Sequence, residues 1–304
     1  MRIVAALGGN ALLERGEKPD AEIQQRHVLR AVEALAPLLR AHDVIVTHGN
    51  GPQVGLLALE SDADPELSRA YPLDVLGAQT QGMIGYWLAQ AIHNAVPDRH
   101  AAAIVCQTVV DAGDRAFAHP SKFVGQIYAK EQAAHLARSR GWTVHQDGNS
   151  WRRVVPSPAP IEIVELAEIE RLVEDDVTVV CAGGGGIPVV RDERGLRGIE
   201  AVVDKDRTAA LLAELLGADA LLLLTDVAAV EVDFGTPAAR PLGETSVAQL
   251  RRLDLPDGSM GPKVAAVCDF VERTGHLAAI GRLEDAELLL LGSAGTVVRG
   301  GGGA

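Results

Sequence analysis

The sequence is poor in lysine, in aromatic residues and in positive charge overall. It has five lysines and 23 arginines in 304 residues, aromatic residues make up 3% of it, and its net charge is −13. A chain this acidic is a poor general partner for nucleic acid or for an anionic membrane surface. Any anionic ligand must therefore be attracted by a local group of cations.

Long apolar runs and patterned cysteines are also missing. No apolar run reaches the roughly 18 residues that a membrane-spanning helix needs, and the apolar stretch within residues 1–7 is too short for a secretion signal. The cysteines lack the CxxC spacing of metal or redox sites, and each follows or lies in an apolar stretch: Cys106, Cys181 and Cys268. These absences predict a soluble cytoplasmic protein whose cysteines are buried as small hydrophobic residues.

Aliphatic residues dominate what is present. Hydrophobic residues make up 47% of the chain although aromatics are scarce, and such a core is typical of parallel strands covered by helices. Short apolar runs alternate with stretches of helical spacing. The runs predict strands over residues 3–7, 44–47, 104–106, 177–181 and 220–224, and the spacing predicts helices over residues 23–39, 78–91 and 207–216. This alternation predicts an α/β fold built on a parallel sheet.

The alternation stops between about residues 117 and 160. Prolines and glycines interrupt the pattern there, a run of basic and proline-rich residues occupies 152–160, and two of the three tryptophans fall inside the segment. We interpret it as an inserted, partly exposed subdomain or lid.

Two glycine turns follow the first two predicted strands. The first turn is Gly8-Gly9-Asn10, and the second is Gly49-Asn50-Gly51, preceded by His48. Glycines let backbone N–H groups approach a small anion, and neighbouring parallel strands would open both turns onto one crevice. A turn needed only for chain geometry is the alternative. His48 is either a structural residue at a strand end or a general base.

Three of the five lysines lie in short motifs rich in glycine, proline, serine and aspartate. Lys122 lies in the predicted lid, Lys205 lies between two aspartates before a predicted helix, and Lys263 precedes another apolar helical stretch. Because the chain otherwise uses arginine, these positions indicate a need for a compact, mobile ammonium group. Fixed cations stabilise a phosphoryl group in transfer. The lysines therefore predict phosphoryl chemistry, with a surface salt bridge as the alternative for Lys205.

Nine strings spread over nearly the whole chain together resemble those of the carbamate kinases. They occur in the order of that family, and several are typical of carbamate kinases rather than of the wider amino acid kinase fold. The strings are ALGGNAL at 6–12, THGNGPQVG at 47–55, GAQTQGMIGYWL at 77–88, PSK-x-VG at 120–125, RRVVPSPAP at 152–160, AGGGGIPV at 182–189, VDKD at 203–206, LTDV at 224–227 and GSMGPK at 258–263.

The resemblance implies an ATP-dependent phosphotransferase that interconverts carbamate and ATP with carbamoyl phosphate and ADP. It implies that Mg²⁺ is held mainly by the nucleotide phosphates and that no covalent enzyme intermediate forms. The partners would be small molecules, without nucleic acid or membrane, and the protein would be a homodimer. The usual direction in the resembling family is ATP synthesis during arginine breakdown, although the same step can be run backwards.

The resemblance also implies an architecture. It is an αβα sandwich around a mainly parallel open sheet, with a small protruding lid subdomain. We expect a single amino acid kinase-like domain over residues 1–304. Within it, an N-terminal carbamate- and phosphate-binding lobe spans 1–200 and includes the protruding subdomain at about 117–160, and a C-terminal nucleotide-binding lobe spans 201–304.

The family's site residues can be carried over where the strings match. The resemblance assigns the carbamate and the transferring phosphoryl group to Gly8, Gly9, Asn10, Gly49, Asn50 and Gly51. It assigns catalysis to Lys122 and Lys205, which would clamp the phosphate, to Asp206, which would orient lysine, and to Lys263, which would reach the nucleotide phosphates. It places the nucleotide along Thr225, Asp226, Val227, Met260 and Lys263.

The first strand differs from that of many relatives in the wider fold. Those relatives carry a lysine just before the glycine pair, where this chain has only aliphatic residues over 4–7. Another cation must serve instead, and Lys122 from the lid is the candidate. In this respect too the chain resembles the carbamate kinases. Phe123 and Gln126 depart from the prolines of the family loop, which leaves the stiffness of that loop and the closure of Lys122 open.

Three other functions are alternatives to this one. Another acyl-phosphate-forming kinase, acting on N-acetylglutamate or glutamate, would need an added cation for a second carboxylate. A non-catalytic nucleotide- or anion-binding regulator on the same scaffold would be expected to lack one of the three lysines, and all three are present. A dehydrogenase would need GxGxxG with a downstream acidic residue, which the sequence lacks.

Overall fold

The strands are organised around one large, mainly parallel sheet. A computed structural model of the chain describes residues 1–14, 16–253, 255 and 260–300, with the backbone alone for Asn10. The strands are β1 (Arg2–Leu7), β2 (Asp43–His48), β3 (Ala101–Ala103), β4 (Gln107–Val110), β5 (Lys122–Tyr128), β6 (Thr143–Asp147), β7 (Ser150–Val155), β8 (Pro160–Ile163), β9 (Thr178–Val180), β10 (Ile187–Asp192), β11 (Gly195–Gly198), β12 (Ala220–Thr225), β13 (Glu231–Val232), β14 (Arg240–Pro241), β15 (Glu244–Thr245), β16 (Leu277–Arg282) and β17 (Thr296–Val298).

The helices alternate with these strands along most of the chain. They are α1 (Ala21–Ala41), α2 (Gly51–Ala63), α3 (Leu73–Ala95), α4 (Lys130–Arg140), α5 (Leu166–Glu174), α6 (Lys205–Leu215), α7 (Val247–Leu250), α8 (Met260–Thr274) and α9 (Ala286–Leu290). In the part of the chain that the structure describes, no helix is both long enough and apolar enough to span a bilayer.

The strand order places β1 near the middle of the large sheet. The order is β15-β17-β16-β12-β1-β2-β9-β3, and the described pairings are parallel except that of β16 with β17. Because β1 lies between β2 and β12, strands from distant parts of the sequence end side by side at one edge. Open α/β sheets bind their ligands at edges of this kind.

Both faces of the sheet are buried by aliphatic side chains. In β1, Val4 and Ala6 pack in a cluster with residues of α6 and α8, whereas Ile3, Ala5 and Leu7 pack in a second cluster with residues of α1, α3 and α9. This division follows from the period of two in a strand, which directs alternate side chains to opposite faces. The predicted αβα sandwich around a mainly parallel sheet is thereby confirmed.

Smaller sheets accompany the large one. Four strands pair in the order β11-β10-β4-β8, and β13 pairs with β14. The antiparallel sheet β5-β7-β6, here called the small sheet, lies within the segment where the alternation of the sequence stops. The small sheet packs against α2 so closely that a Cβ on Gly55 would lie 2.7 Å from the Cα of Gly125. The strand that begins with Lys122 is therefore seated directly on a helix of the main body.

One predicted strand is wrong. Residues 104–106 lie between β3 and β4 and are not themselves a strand. The reason is a side chain: the Gln81 amide accepts from the backbone N–H of Cys106 at 2.7 Å and donates to its carbonyl at 3.1 Å. The Gln81 side chain thus occupies the Cys106 N–H that a paired strand would use, while the Cys106 carbonyl also accepts from the N–H of Ile187 in β10 at 2.8 Å. Cys106, Cys181 and Cys268 are all buried and free.

Candidate active site

The two predicted glycine turns meet at the carboxyl edge of the large sheet. Leu7 and His48 are register partners at the ends of β1 and β2, and the backbone N–H of Gly49 donates to the carbonyl of Leu7 at 3.0 Å. A Cβ on Gly49 would lie 3.1 Å from both the N and the Cα of Gly9. The close approach of the two turns therefore favours glycine at position 49, since a larger residue would push the first turn aside.

A third glycine turn, Gly183–Gly186, packs against the second one. The sequence shows it as glycines after a predicted strand, but neither that pattern nor the family resemblance assigned it a residue of the site. It follows β9, and Gly184 has a φ of +64° that favours glycine. A side chain at Gly184 would collide with the amide of Asn50. The run of four glycines after a predicted strand was the signal that could have identified it.

Asn50 is oriented by a short chain of hydrogen bonds that the sequence did not predict. Its Nδ2 donates to Oγ1 of Thr80 at 2.9 Å, and this hydroxyl donates to the carbonyl of Gly77 at 2.8 Å. Both partners lie on α3. The conformation of the second turn is thus set by α3, a helix that lies later in the sequence.

His48 is a structural residue in this arrangement. Its side chain is buried, and its Nδ1 donates to the carbonyl of Gly49 at 3.0 Å. Burial lowers the pKa of His48 to about 4, so the imidazole is uncharged at neutral pH. A Cβ on Gly183 would collide with the ring, which shows how tightly the third turn covers it. Nothing in this geometry supports the general-base interpretation.

The start of α6 brings together the residues of the Asp-Lys-Asp motif. Asp204 caps the helix: its Oδ1 accepts from the backbone N–H groups of Asp206 and Arg207 at 3.0 and 3.2 Å. Aspartate is among the preferred capping residues because its carboxylate satisfies N–H groups that have no partner inside the helix. The cap makes α6 begin at Lys205 rather than at the predicted residue 207.

Asp206 holds two lysines. One carboxylate oxygen contacts the Lys205 ammonium, and the other accepts from Nζ of Lys263 at 3.0 Å. Lys263 lies in the first turn of α8, which starts earlier than the sequence predicted. Although burial opposes ionisation of Asp206, these two lysines hold the pKa of its carboxyl well below the ordinary range. The carboxylate is therefore charged at all pH values at which the protein would be assayed.

Lys205 joins this cluster to the glycine turns. Its side chain is 13% exposed, which excludes the surface salt bridge considered for it. A Cβ on Gly49 would lie 3.5 Å from Cδ of Lys205. Burial lowers the pKa of Lys205, and contact with Asp206 opposes that effect. A cation so close to Gly49, which itself approaches Gly9, is placed to neutralise an anion bound at the glycine turns.

Lys122 enters the site from the small sheet. It is the first residue of β5, and its Nζ donates to Oδ2 of Asp204 at 2.6 Å. Three lysines thus converge on two aspartates at the start of α6, which leaves one excess positive charge within a strongly acidic chain. Such a cluster attracts an anion locally, as the composition requires.

The residues predicted to bind the nucleotide are spread more widely than the three lysines. Thr225 adjoins the first turn, because a Cβ on Gly8 would lie 3.6 Å from its Cα. Thr225 and Asp226 also line a pocket of about 440 Å³, with walls from α1 and the end of β16 and without any of the three lysines. Val227 is 38% exposed. Met260 begins α8, in the same turn as Lys263, whereas Gly258 and Ser259 of the GSMGPK string lie outside the described residues.

Comparison with known proteins gives consistent matches. A sequence model of the amino acid kinase family matches residues 1–281. The carbamate kinase of Rhizobium meliloti is 49% identical over 98% of this chain and 93% of its own length. That of Haemophilus influenzae is 48% identical over 97% of this chain and 96% of its own.

Solved structures agree with these sequence matches. A carbamate kinase from Giardia lamblia bound to AMP-PNP superimposes with a TM-score of 0.90 at 38% identity, over 98% of each chain. The same enzyme bound to citric acid gives a TM-score of 0.92 over the same shares. An isopentenyl phosphate kinase from T. acidophilum, with a TM-score of 0.53 at 14% identity, shares the fold alone.

Proposed function

This chain belongs to the amino acid kinase family and is a carbamate kinase, and we propose that it moves a phosphoryl group between ATP and carbamate by means of Lys122, Lys205 and Lys263. One observation carries the assignment of these residues. Asp206 holds Lys205 and Lys263 together beside the glycine turns at the carboxyl edge of the sheet.

The chemistry in the direction of ATP synthesis is a single transfer. An oxygen of the terminal phosphate of ADP attacks the phosphorus of carbamoyl phosphate, the bond from phosphorus to the carbamate oxygen breaks, and its electron pair leaves with carbamate. Negative charge spreads over the equatorial oxygens as this happens. Fixed cations stabilise that charge because they need no reorganisation during the reaction. Lys122 and Lys205 supply the clamp, and Asp206 orients Lys205.

The glycine turns bind carbamate and the transferring phosphoryl group. An added Cβ would meet no atom within 4 Å at Gly9 and Gly51, so an anion can approach the backbone of both turns there. The N–H groups of Gly8 and Gly49 already donate to strand carbonyls, and these two glycines hold the turns in place. The side chain of Asn50 is already fixed by Thr80, which supports a precise contact with the ligand. The residues assigned to this role are Gly8, Gly9, Asn10, Gly49, Asn50 and Gly51.

The nucleotide lies between the end of β12 and the start of α8. Lys263 reaches its phosphates from the first turn of α8, and Asp206 holds this lysine in place. The residues assigned to the nucleotide are Thr225, Asp226, Val227, Met260 and Lys263.

Magnesium takes part as a substrate ion carried by the nucleotide phosphates. The carboxylate oxygens of the site already accept hydrogen bonds: those of Asp206 from two lysines, and those of Asp204 from Lys122 and from backbone N–H groups. We therefore assign no protein side chain to the ion.

A homodimer, a cytoplasmic location and operation toward ATP synthesis stay predictions from the sequence and its family resemblance.

The first test is ATP formation from ADP, Mg²⁺ and carbamoyl phosphate in a coupled assay. Acetyl phosphate replaces carbamoyl phosphate in a parallel reaction, and Lys130→Ala serves as the control variant because Lys130 is an exposed lysine at the start of α4. Rapid turnover with carbamoyl phosphate alone, lowered roughly 10²–10³-fold by Lys205→Ala but unchanged by Lys130→Ala, is the expected result. Bound ADP without turnover would instead favour a regulator or a kinase for another carboxylate.

A further inference from the structure

Asp204 is the residue through which the small sheet contacts the start of α6. Its Oδ2 accepts from Nζ of Lys122, which lies 82 residues earlier in the chain, at 2.6 Å. The mechanism proposed above uses Lys122, Lys205, Lys263 and Asp206 and gives Asp204 no role.

The carboxylate of Asp204 is fixed by the helix that it caps. One of its oxygens accepts from two backbone N–H groups of the first turn of α6, as the carboxylate of a helix-capping aspartate does. With that oxygen engaged, the other is directed at Lys122. The direction of the contact is therefore set by the backbone of α6 and not by a freely rotating side chain.

The two partners are unequally buried. The side chain of Asp204 is 9% exposed and that of Lys122 is 40% exposed. Although burial opposes ionisation of Asp204, the ammonium of Lys122 keeps the pKa of its carboxyl below the ordinary value. The anion is thus charged and immobile, while the cation stays accessible to a ligand. Pairs with one partner this exposed contribute little to stability, so the contact is better explained by orientation of the lysine.

Asp204 and Asp206 repeat one arrangement two residues apart. Each lies at the start of α6, and each holds a lysine from a distant segment, Lys122 in one case and Lys263 in the other. We propose that Asp204 is a positioning residue for the carbamate kinase reaction: it holds Lys122 of the small sheet in place for the phosphoryl group, without contacting substrate itself. This inference rests on the role proposed for Lys122.

A double-mutant cycle tests the inference. Asp204→Asn removes the charge that orients Lys122 but keeps an acceptor for the N–H groups of α6, since asparagine caps helices as well as aspartate does. We expect Asp204→Asn to lower kcat about tenfold and to change KM for ADP by less than about twofold. In the Lys122→Ala background the same substitution should change kcat by less than about twofold, because the lysine on which it acts is gone.

Asp64→Asn is the control for loss of a negative charge. Asp64 accepts from the backbone N–H of Glu66 at 2.9 Å at the far end of α2, and kcat should not change. An equal loss of kcat in both backgrounds would show that Asp204 acts through α6 and would overturn the inference, as would an unchanged kcat in the wild-type background. A wild-type protein that makes no ATP from carbamoyl phosphate would overturn the function itself.

Discussion

The start of α6 and the small sheet hold their lysines in different ways. At α6, the side chains of Lys205 and Lys263 are 13% and 15% exposed, and both contact Asp206, which is 5% exposed. On the small sheet, the side chain of Lys122 is 40% exposed. A buried group of charges is fixed, whereas an ammonium that is 40% exposed can contact a ligand while Asp204 holds it. Under the proposed function, the first region would supply fixed charge and the second a charge able to close on substrate.

The two regions also differ in what stabilises them. The core strands of the large sheet bury aliphatic residues almost completely. Beside the small sheet, the ring of Trp142, which precedes β6, lies 5.3 Å from the guanidinium of Arg140 on α4 and 4.9 Å from that of Arg153 on β7. Arg153 also pairs with Glu200 at 3.2 Å. Contacts of this kind contribute about 0.5–1 kcal/mol each at exposed sites. Changes in the small sheet should therefore affect turnover more than overall stability.

Asp206→Asn should have the largest effect, because it removes the carboxylate that pairs with both buried lysines. Two buried lysines would be left without a carboxylate, and breaking a buried pair in this way costs about 3–5 kcal/mol. We expect that loss in the free energy of unfolding measured by urea denaturation, together with loss of turnover. Asp204→Asn, whose lysine partner is half exposed, should cost much less. Equal losses for the two variants would remove the distinction between the regions.

Lys205→Ala should lower turnover more than Lys122→Ala does. Removal of one fixed electrostatic donor lowers kcat by roughly 10²–10³-fold, and we expect that range for Lys205→Ala. Lys122→Ala should act mainly on turnover and leave ADP affinity nearly intact, as titration calorimetry can measure. A folded Lys205→Ala protein with near-native kcat would remove Lys205 from the mechanism. A large loss of ADP affinity in Lys122→Ala would contradict its assignment to a closing lid.

The pH dependence of kcat should report the buried lysine. Because burial lowers the pKa of Lys205, its ammonium is lost at a lower pH than the ordinary lysine value of about 10.4. Turnover should therefore fall as the pH rises toward that value. Lys205→Arg stays charged throughout this range, so its residual activity should lack the alkaline decline. The same decline in Lys205→Arg would assign it to another group.

Gly55→Ala should give the smallest effect, confined to the small sheet. The added Cβ would lie 2.7 Å from the Cα of Gly125, which forces β5 and Lys122 away from α2. Small displacements of a positioned group lower rates steeply, and we expect kcat to fall about tenfold with KM for ADP unchanged. Gly82→Ala is the matched helix control, since a Cβ there meets no atom within 4 Å. A similar fall in Gly82→Ala would point to helix perturbation instead.

The sequence predicted the class of the fold because its signals are local. Apolar runs, helical spacing and glycines after strands depend on neighbours a few residues apart, and they gave the α/β class and most elements of the large sheet correctly. The prediction failed at residues 104–106, where a side chain from α3 binds the backbone of Cys106. It also started α6 and α8 too late, since the boundary of α6 is set by the cap at Asp204.

The candidate site could be predicted only in part from the sequence. Composition drew attention to Lys122, Lys205 and Lys263, and the family resemblance supplied roles for them. Neither indicated that the third glycine turn covers Asn50, nor that Asp204 faces Lys122. Those facts involve segments that no local pattern connects.

By itself, the sequence determined the aliphatic parallel sheet, the positions of the glycine turns and the small set of lysines available for catalysis. Only the tertiary structure decided which lysine faces which aspartate. The partners Lys122 and Asp204 are 82 residues apart, and Lys263 and Asp206 are 57 residues apart. Contacts over such separations depend on the order of the strands and on the packing of α6 against α8, which are properties of the whole folded chain and not of any stretch within it.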